Sequence, residues 1–173
     1  MRSKNNKGFS LLELIITMVI AAIILSAAVP SFSDLLSSNK VSGGAEKISA
    51  DIGWARTTAI RNSSDIYMDV STGTSSWCYG FADKATCDCS KTSAAAADSC
   101  TVSGSLKRYD ESLYGGAALS STIPNMTFEP RGLLAAAGGA LSLSLNSKTA
   151  TLNITRLGRS TICSSELSQF PGC

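Results

Sequence analysis

The 173-residue sequence contains no histidine, few aromatic residues and few charged residues. Aromatic residues make up 6% of the chain and charged residues 16%, against about 25% charged in typical soluble domains. Without histidine the chain cannot form Ser-His-Asp, Cys-His or HExxH sites, which excludes most hydrolases. The sequence also lacks a P-loop and a dinucleotide-binding motif. We therefore expect neither an enzyme nor a bound cofactor.

Positive charge is concentrated at the start of the chain. Three of the 15 basic residues, Arg2, Lys4 and Lys7, lie among the first eight positions, so the 12 that follow nearly balance the 13 acidic residues. The rest of the chain is therefore not a polycation that would bind nucleic acid or an anionic membrane through its overall charge.

An apolar segment of 21 residues, Phe9 to Val29, follows the basic start, and Glu13 is its only charged residue. At 1.5 Å per residue, such a helix spans about 30 Å, the hydrocarbon thickness of a bilayer. The basic residues before it predict a single-pass topology with the N-terminus in the cytoplasm and the remainder outside. An acid within such a helix costs about 2.5 to 3.5 kcal/mol at mid-bilayer. Glu13 therefore either pairs with a positive group, which we favour, or lies near one end of the helix and reaches the headgroups.

Residues 7–14 have the sequence Lys-Gly-Phe-Ser-Leu-Leu-Glu-Leu, which resembles the N-terminal signal of the type IV pilin and pseudopilin family. The resemblance implies that a prepilin peptidase cuts after Gly8 and methylates the new amino group of Phe9. It also implies that assembly needs Glu13, which pairs with the terminal amine of a neighbouring subunit. Residues 1–8 would then be a cleaved leader, and residues 9–29 the transmembrane and assembly helix.

Residues 30–62 are predicted to continue this helix beyond the membrane. Apolar residues recur there at steps of three and four, which reserves one face for packing against the chain's own sheet. These residues are Val41, Ala45, Ile48, Ile52, Ala55 and Ala59. Residues 54–62, Trp-Ala-Arg-Thr-Thr-Ala-Ile-Arg-Asn, resemble the end of the helix in one subgroup, the FimT and FimU minor pilins and the GspH pseudopilins.

Residues 63–173 are predicted to form a β-rich globular domain, because short segments alternate between apolar and polar residues. The predicted strands are Ile66–Val70, Trp77–Ala82, Thr101–Arg108, Leu141–Leu145 and Ala150–Ile154. The last two flank a predicted hairpin turn at Asn146-Ser147-Lys148. Residues 126–132, which include a phenylalanine and then a glycine before a hairpin, also resemble the FimT and GspH pattern. The implied fold is α+β, with a long N-terminal α-helix packed against an antiparallel β-sheet.

All six cysteines follow the membrane segment, so the predicted topology places them in an oxidising compartment where up to three disulfides form. They are Cys78, Cys87, Cys89, Cys100, Cys163 and Cys173. Cys163 and Cys173 are isolated from the others and are predicted to pair. For the other four, we favour the nearest-neighbour pairs Cys78–Cys87 and Cys89–Cys100, with the crossed pairing as the alternative. A metal site of Cys87, Cys89 and Cys100 is not favoured, because its thiolates would have to escape oxidation.

Residues 156–163, Arg-Leu-Gly-Arg-Ser-Thr-Ile-Cys, bear on DNA binding. In DNA-binding FimT-like pilins, the resemblance points to a Gly-Arg-x-Arg pattern before a cysteine. Here Arg159 matches the first arginine, Thr161 replaces the second, and Arg156 lies just upstream. Two phosphate contacts are too few to hold duplex DNA at physiological salt, although Lys148 in the hairpin turn is a third candidate. We therefore expect weak DNA binding or none.

The favoured function is that of a minor pilin, a structural subunit that helps to initiate and assemble a type IV pilus at its tip. The alternatives are a GspH-like minor pseudopilin of type II secretion and a FimT-like DNA-binding pilin of natural transformation. The expected partners are the prepilin peptidase, other pilins or pseudopilins and the inner membrane, with DNA less favoured. The expected location is the bacterial inner membrane with the globular domain in the periplasm, followed by the filament.

Overall fold

The computed structural model describes residues 9–173, so the expected leader, including Gly8, lies outside the described residues. The chain divides into an N-terminal unit that ends at Leu36 and a second unit, Ser37–Cys173. A single helix, α1 (Leu11–Asn62), begins in the first unit and ends in the second.

In the N-terminal unit, the apolar side chains of α1 that the structure describes are exposed. Phe9 is 79% exposed, Leu12 67% and Ile24 62%. Among residues 9–173, α1 is the one helix long and apolar enough to cross a membrane. These exposed side chains are what a membrane-spanning segment requires, since lipid rather than protein would surround them.

In the second unit, α1 buries one face completely. The six residues of the predicted stripe, from Val41 to Ala59, have no exposed surface. They belong to one hydrophobic core with side chains from the strands that follow. The prediction that this face packs against the chain's own β-domain is confirmed.

Ten strands and one short helix follow α1. Their bounds are β1 (Ile66–Ser71), β2 (Cys78–Ala82), β3 (Thr101–Val102), β4 (Ser105–Leu106), β5 (Arg108–Asp110), the 3-10 helix η1 (Glu111–Tyr114), β6 (Ala118–Ser121), β7 (Asn125–Phe128), β8 (Gly139–Leu145), β9 (Lys148–Ile154) and β10 (Ser160–Cys163).

The strands form two antiparallel four-stranded sheets rather than the one sheet expected. The first sheet has the order β5-β2-β1-β7 and the second the order β10-β9-β8-β6. The predicted strand Thr101–Arg108 is also divided, because Ser103 and Gly104 adopt left-handed φ values of 51° and 75°. That turn folds β3 back onto β4 as a separate two-stranded sheet.

Both sheets contribute to one core beneath α1. Met68, Tyr79 and Phe81 enter it from the first sheet, and Leu143 and Leu152 enter it from the second. Each of these side chains is at most 1% exposed. The buried face of α1 therefore packs against both sheets at once. This packing fixes the positions of the loops at the ends of the two sheets.

The hairpin between β8 and β9 has the predicted position. Asn146 and Ser147 form its two-residue turn, in which Asn146 has a left-handed φ of 54° that asparagine tolerates well. The Asn146 side chain donates a hydrogen bond to Ser37 Oγ at 2.7 Å. Lys148 is consequently the first residue of β9, at the turn end of the hairpin.

Candidate functional site

Glu13 lies in the first turn of α1 and is exposed. A carboxylate in this position is stabilised by the helix dipole. Its neighbours in the chain are apolar and exposed, with Leu12 at 67% and Leu14 at 49%. Phe9 lies four positions earlier, about one helical turn away. Glu13 is thus the one charged residue of the segment from Phe9 to Val29, and a positive group is the partner that would balance its charge.

The six cysteines form three disulfides, and two of these are interleaved. Cys78 pairs with Cys89, Cys87 with Cys100, and Cys163 with Cys173. The favoured nearest-neighbour pairing of the first four cysteines is therefore wrong, and the crossed alternative is the one the fold adopts. Cys89 and Cys100 are fully buried.

Contacts around Cys89 explain this pairing. The Cys89 amide donates to the Asp69 carboxylate of β1 at 3.0 Å, and the Arg108 side chain of β5 donates to the Cys89 carbonyl. Strand β2, which begins at Cys78, lies between β1 and β5. Cys89 is therefore held directly beside Cys78. The disulfides and these bonds fasten the loop of residues 83–100 to the first sheet.

A buried polar cluster joins α1 to the β-domain. The Asp51 carboxylate accepts a hydrogen bond from Tyr79 at 2.8 Å and from Lys47 at 3.0 Å. The Tyr79 hydroxyl also bonds the hydroxyl of Tyr114. The Lys47 ammonium lies 4.6 Å from the ring centre of Tyr109. Because every member has a partner, the cluster fixes the helix against η1 and the first sheet.

Burial raises the pKa of the tyrosines in this cluster. For Tyr79, desolvation and the neighbouring Tyr114 and Asp51 hold the pKa well above its usual range. For Tyr114, burial raises the pKa to about 12. Both hydroxyls therefore stay protonated at neutral pH and act as hydrogen-bond donors rather than as acids or nucleophiles.

An arginine cluster forms where the end of α1 meets two loops. Arg56 Nε donates to the Gly132 carbonyl at 2.9 Å. A Cβ atom at Gly158 would lie 2.8 Å from the Gly132 carbonyl oxygen and 3.0 Å from Arg56 Cδ. Gly158 also has a left-handed φ of 65°. Glycine is therefore required at position 158, where the β9–β10 turn meets the helix and the loop after β7.

This arrangement brings Arg131, Arg156 and Arg159 to the same end of the domain. Arg131 precedes Gly132 and is 80% exposed, and it forms an ion pair with Glu129 at 3.2 Å. The Arg156 carbonyl accepts a hydrogen bond from the Leu134 amide at 2.9 Å. Arg156 and Arg159 are both exposed. We call Arg56, Arg131, Arg156 and Arg159 the arginine cluster.

Lys148 is not part of the arginine cluster. It begins β9, whereas Arg156 and Arg159 follow the other end of the same strand. The seven residues of β9 separate the two ends by about 20 Å. The fold therefore places Lys148 apart from Arg156 and Arg159 and brings Arg56 and Arg131 close to them, which the sequence alone did not indicate. The one available signal was the glycine at position 132, which permits the close approach of the loop to α1.

Family comparisons identify the class of protein. The family model described as type II transport protein GspH matches residues 44–158, which is more than half of the chain. A second model, the prokaryotic N-terminal methylation motif, matches residues 3–29. The first match covers the end of α1 and nine of the ten strands, and the second covers Gly8, Phe9 and Glu13.

The chain belongs to the GspH family and carries an N-methylation motif of prokaryotic pilin-like proteins. The resemblance to pilins and pseudopilins that residues 7–14 and 54–62 suggested is thereby confirmed.

Solved structures with similarity to this chain include two crystal forms of the type IV minor pilin FimU of Pseudomonas aeruginosa PAO1. The form in space group P21 has 16% identity and a TM-score of 0.49, and the match covers 72% of this chain and 88% of FimU. The form in P65 has 16% identity and a TM-score of 0.47, with 70% and 90% covered. No curated protein matches the chain.

Proposed function

We propose that this chain is a minor pilin, a structural subunit that helps to initiate and assemble a type IV pilus and that lies at the tip of the filament. The observation that carries the proposal is the N-terminal half of α1, where one carboxylate, Glu13, lies on an exposed apolar helix within the N-methylation motif. The chain spans the inner membrane once, with Ser37–Cys173 in the periplasm.

Processing completes this site. A prepilin peptidase cuts after Gly8 and methylates the amino group of Phe9, and Glu13 pairs with the terminal amine of a neighbouring subunit. In an apolar environment this ion pair offsets the cost of burying both charges, whereas either charge alone would be strongly unfavourable. The pairing therefore couples assembly to correct processing.

A replacement of Glu13 tests the proposal. Glu13→Ala should insert into the membrane but fail to join filaments, because a neighbouring amine loses its partner. The measurement is the amount of the variant in sheared surface filaments relative to the membrane, and Glu13→Asp is the control that keeps the charge. Normal incorporation of Glu13→Ala beside wild-type subunits would show that the carboxylate is merely tolerated.

A second candidate is a minor pseudopilin of type II secretion, and the description of the matching family as a type II transport protein favours it. A deletion strain is scored in parallel for surface pili, protein secretion and transformation. The process that is lost shows which system the protein serves. Loss of pili alone supports the minor pilin, and loss of secretion alone supports the pseudopilin.

A third candidate is a DNA-binding pilin, which the arginine cluster favours. Two contacts, from Arg156 and Arg159, would give a slope of log affinity against log salt of about −1.8 for duplex DNA, whereas a third contact, from Arg131, would give about −2.7. We expect weak binding at physiological salt with the steeper slope. Arg131→Ala should reduce the steepness by about 0.9, and Lys148→Ala, about 20 Å away along β9, should leave it unchanged. Equal effects of the two variants would refute the arginine cluster as a DNA site.

A further inference from the structure

A cavity of about 480 Å³ lies between the middle of α1 and the short helix η1. We call it the α1 notch and define it by Lys40, Gly43, Lys47, Leu113 and Tyr114, which line it. Leu113 is 66% exposed although it is apolar. A concave, mainly apolar surface of this size with a few polar groups is typical of a binding site.

The two adjacent glycines of α1 differ in what the fold requires of them. A Cβ atom at Gly44 would lie 2.5 Å from Leu143 Cδ2 and 2.9 Å from Tyr114 Cδ1, so glycine is needed there for packing. A Cβ atom at Gly43 would meet no atom within 4 Å. Glycine is unfavourable inside a helix. Folding therefore gives no reason for Gly43, but a larger residue there would fill the α1 notch.

The rim of the α1 notch is basic. The Lys40 side chain lies along Gly115. A Cβ atom at Gly115 would be 2.9 Å from Lys40 Cδ and 3.0 Å from Lys40 Nζ. Among residues 9–173, no carboxylate forms an ion pair with Lys40. Lys47 is bound to Asp51, yet its side chain remains 50% exposed. A ligand in the α1 notch would thus meet apolar walls and at least one uncompensated positive charge.

We propose that the α1 notch docks an acidic segment of another filament subunit, with an apolar side chain in the cavity and a carboxylate beside Lys40. Charge complementarity with Lys40 selects an acidic partner, and the apolar wall of Leu113 and Tyr114 selects an adjoining apolar residue. A volume of 480 Å³ fits one or two side chains rather than a whole helix. The inference rests on the proposed role as a filament subunit and names a surface through which that role is carried out.

Two matched glycine variants of the full chain test this docking. Gly43→Leu fills the α1 notch, and Gly53→Leu is the control, because Gly53 also lies in α1 with no atom within 4 Å of an added Cβ. Both changes favour the helix, so neither should impair folding. In sheared filaments we expect at least a tenfold loss of Gly43→Leu relative to wild type and no loss of Gly53→Leu. Equal recovery of the two variants would overturn the proposal.

Charge variants at Lys40 test whether docking in the α1 notch needs a positive charge at this position. Lys40→Glu should reduce recovery in filaments at least as much as Gly43→Leu does, and Lys40→Arg should keep wild-type recovery. Loss of both Lys40 variants to the same extent would point to the aliphatic stem rather than the charge, and would contradict the acidic partner.

A photo-crosslinking residue in place of Leu113 decides the docking independently of filament yield. The full chain is crosslinked in the membrane of living cells, and mass spectrometry identifies the attached residues. An adduct to an acidic segment of another pilin-like chain, reduced at least fivefold by Gly43→Leu, supports the proposal. Adducts confined to phospholipid or to this chain's own domain overturn it. If wild-type chain is absent from filaments, the proposed function fails, and the crosslink still decides what occupies the α1 notch.

Discussion

Glu13 in the first half of α1 and Asp51 in the second half are two carboxylates with opposite surroundings. Glu13 lies on an exposed apolar surface in the N-terminal unit. Asp51 lies against the β-domain and is bound by Tyr79 and Lys47 of the same chain. The second half of the helix thus has its partners within the domain, whereas we propose that the first half finds its partners in other subunits.

The apolar residues of α1 divide in the same way. Ile20 and Ile24 are 52% and 62% exposed, whereas Ile48 and Ile52 have no exposed surface. Hydrophobic content alone therefore does not distinguish the two halves of α1. Their spacing does, because the second half is apolar on one face only.

The largest expected effect comes from shortening a buried residue of the second half. Ile52→Ala should lower the free energy of unfolding by about 2–5 kcal/mol, since it leaves a cavity in the core. Ile20→Ala should change it by less than about 0.5 kcal/mol, because no core surrounds Ile20. Denaturant unfolding of the full chain in detergent, followed by the fluorescence of Trp54 and Trp77, measures both. Similar losses in the two variants would contradict the division of α1.

The disulfides should affect the second unit alone. Replacing Cys78 and Cys89 together with serine should cost about 3 kcal/mol, since the bridge closes a loop with a sequence separation of 11. The helical circular dichroism of the N-terminal half should be unchanged at temperatures where the β-domain of this variant unfolds. Peptide mapping under non-reducing conditions checks the pairing itself, and a Cys78–Cys87 peptide in native protein would refute the interleaved arrangement.

The two carboxylates of α1 should respond differently to replacement. Asp51→Asn should cost about 1.5–3 kcal/mol of unfolding free energy, because charge-assisted hydrogen bonds from Tyr79 and Lys47 are weakened. Glu13→Ala should leave the unfolding free energy unchanged and act on assembly only. The comparison would fail if Glu13→Ala destabilised the domain as much as Asp51→Asn does.

The smallest expected change is a loss of unfolding free energy at alkaline pH, caused by ionisation of Tyr114. Burial raises the pKa of Tyr114 to about 12, while in the unfolded chain it is near 10. Above pH 10 the unfolded state releases this proton more readily, so Tyr114 alone makes the native state lose about 1 kcal/mol of stability by pH 11, in addition to any loss from Tyr79. In Tyr114→Phe, the free energy of unfolding should decrease less steeply with pH above pH 10. An unchanged slope in the variant would show that other groups cause the loss.

Much of the fold follows from local sequence pattern. The stripe from Val41 to Ala59, the strands around Met68 and Leu143, and the turn at Asn146 are each determined by residues a few positions apart. The division into two sheets and the disulfide pairing are not, because they depend on which distant strands become neighbours. Cys89 meets Cys78 only because Asp69 and Arg108, on two other strands, hold it there.

The proposed functional residues divide in the same manner. Gly8, Phe9 and Glu13 could be named from the sequence because they lie in one continuous motif. The arginine cluster could not, since Arg56 and Arg131 join it only through the approach of Gly132 to α1. The α1 notch could not be predicted from the sequence either, because it is formed by two segments about 70 positions apart.

The intact mass of the chain recovered from sheared surface filaments tests most directly whether this protein is a processed filament subunit. We expect a protein that begins at Phe9, carries one added methyl group on its amino terminus and has lost six hydrogens to three disulfides. Recovery from filaments of a chain that still begins at Met1, or of one with an unmodified amino group, would contradict the central claim that this is a processed filament subunit.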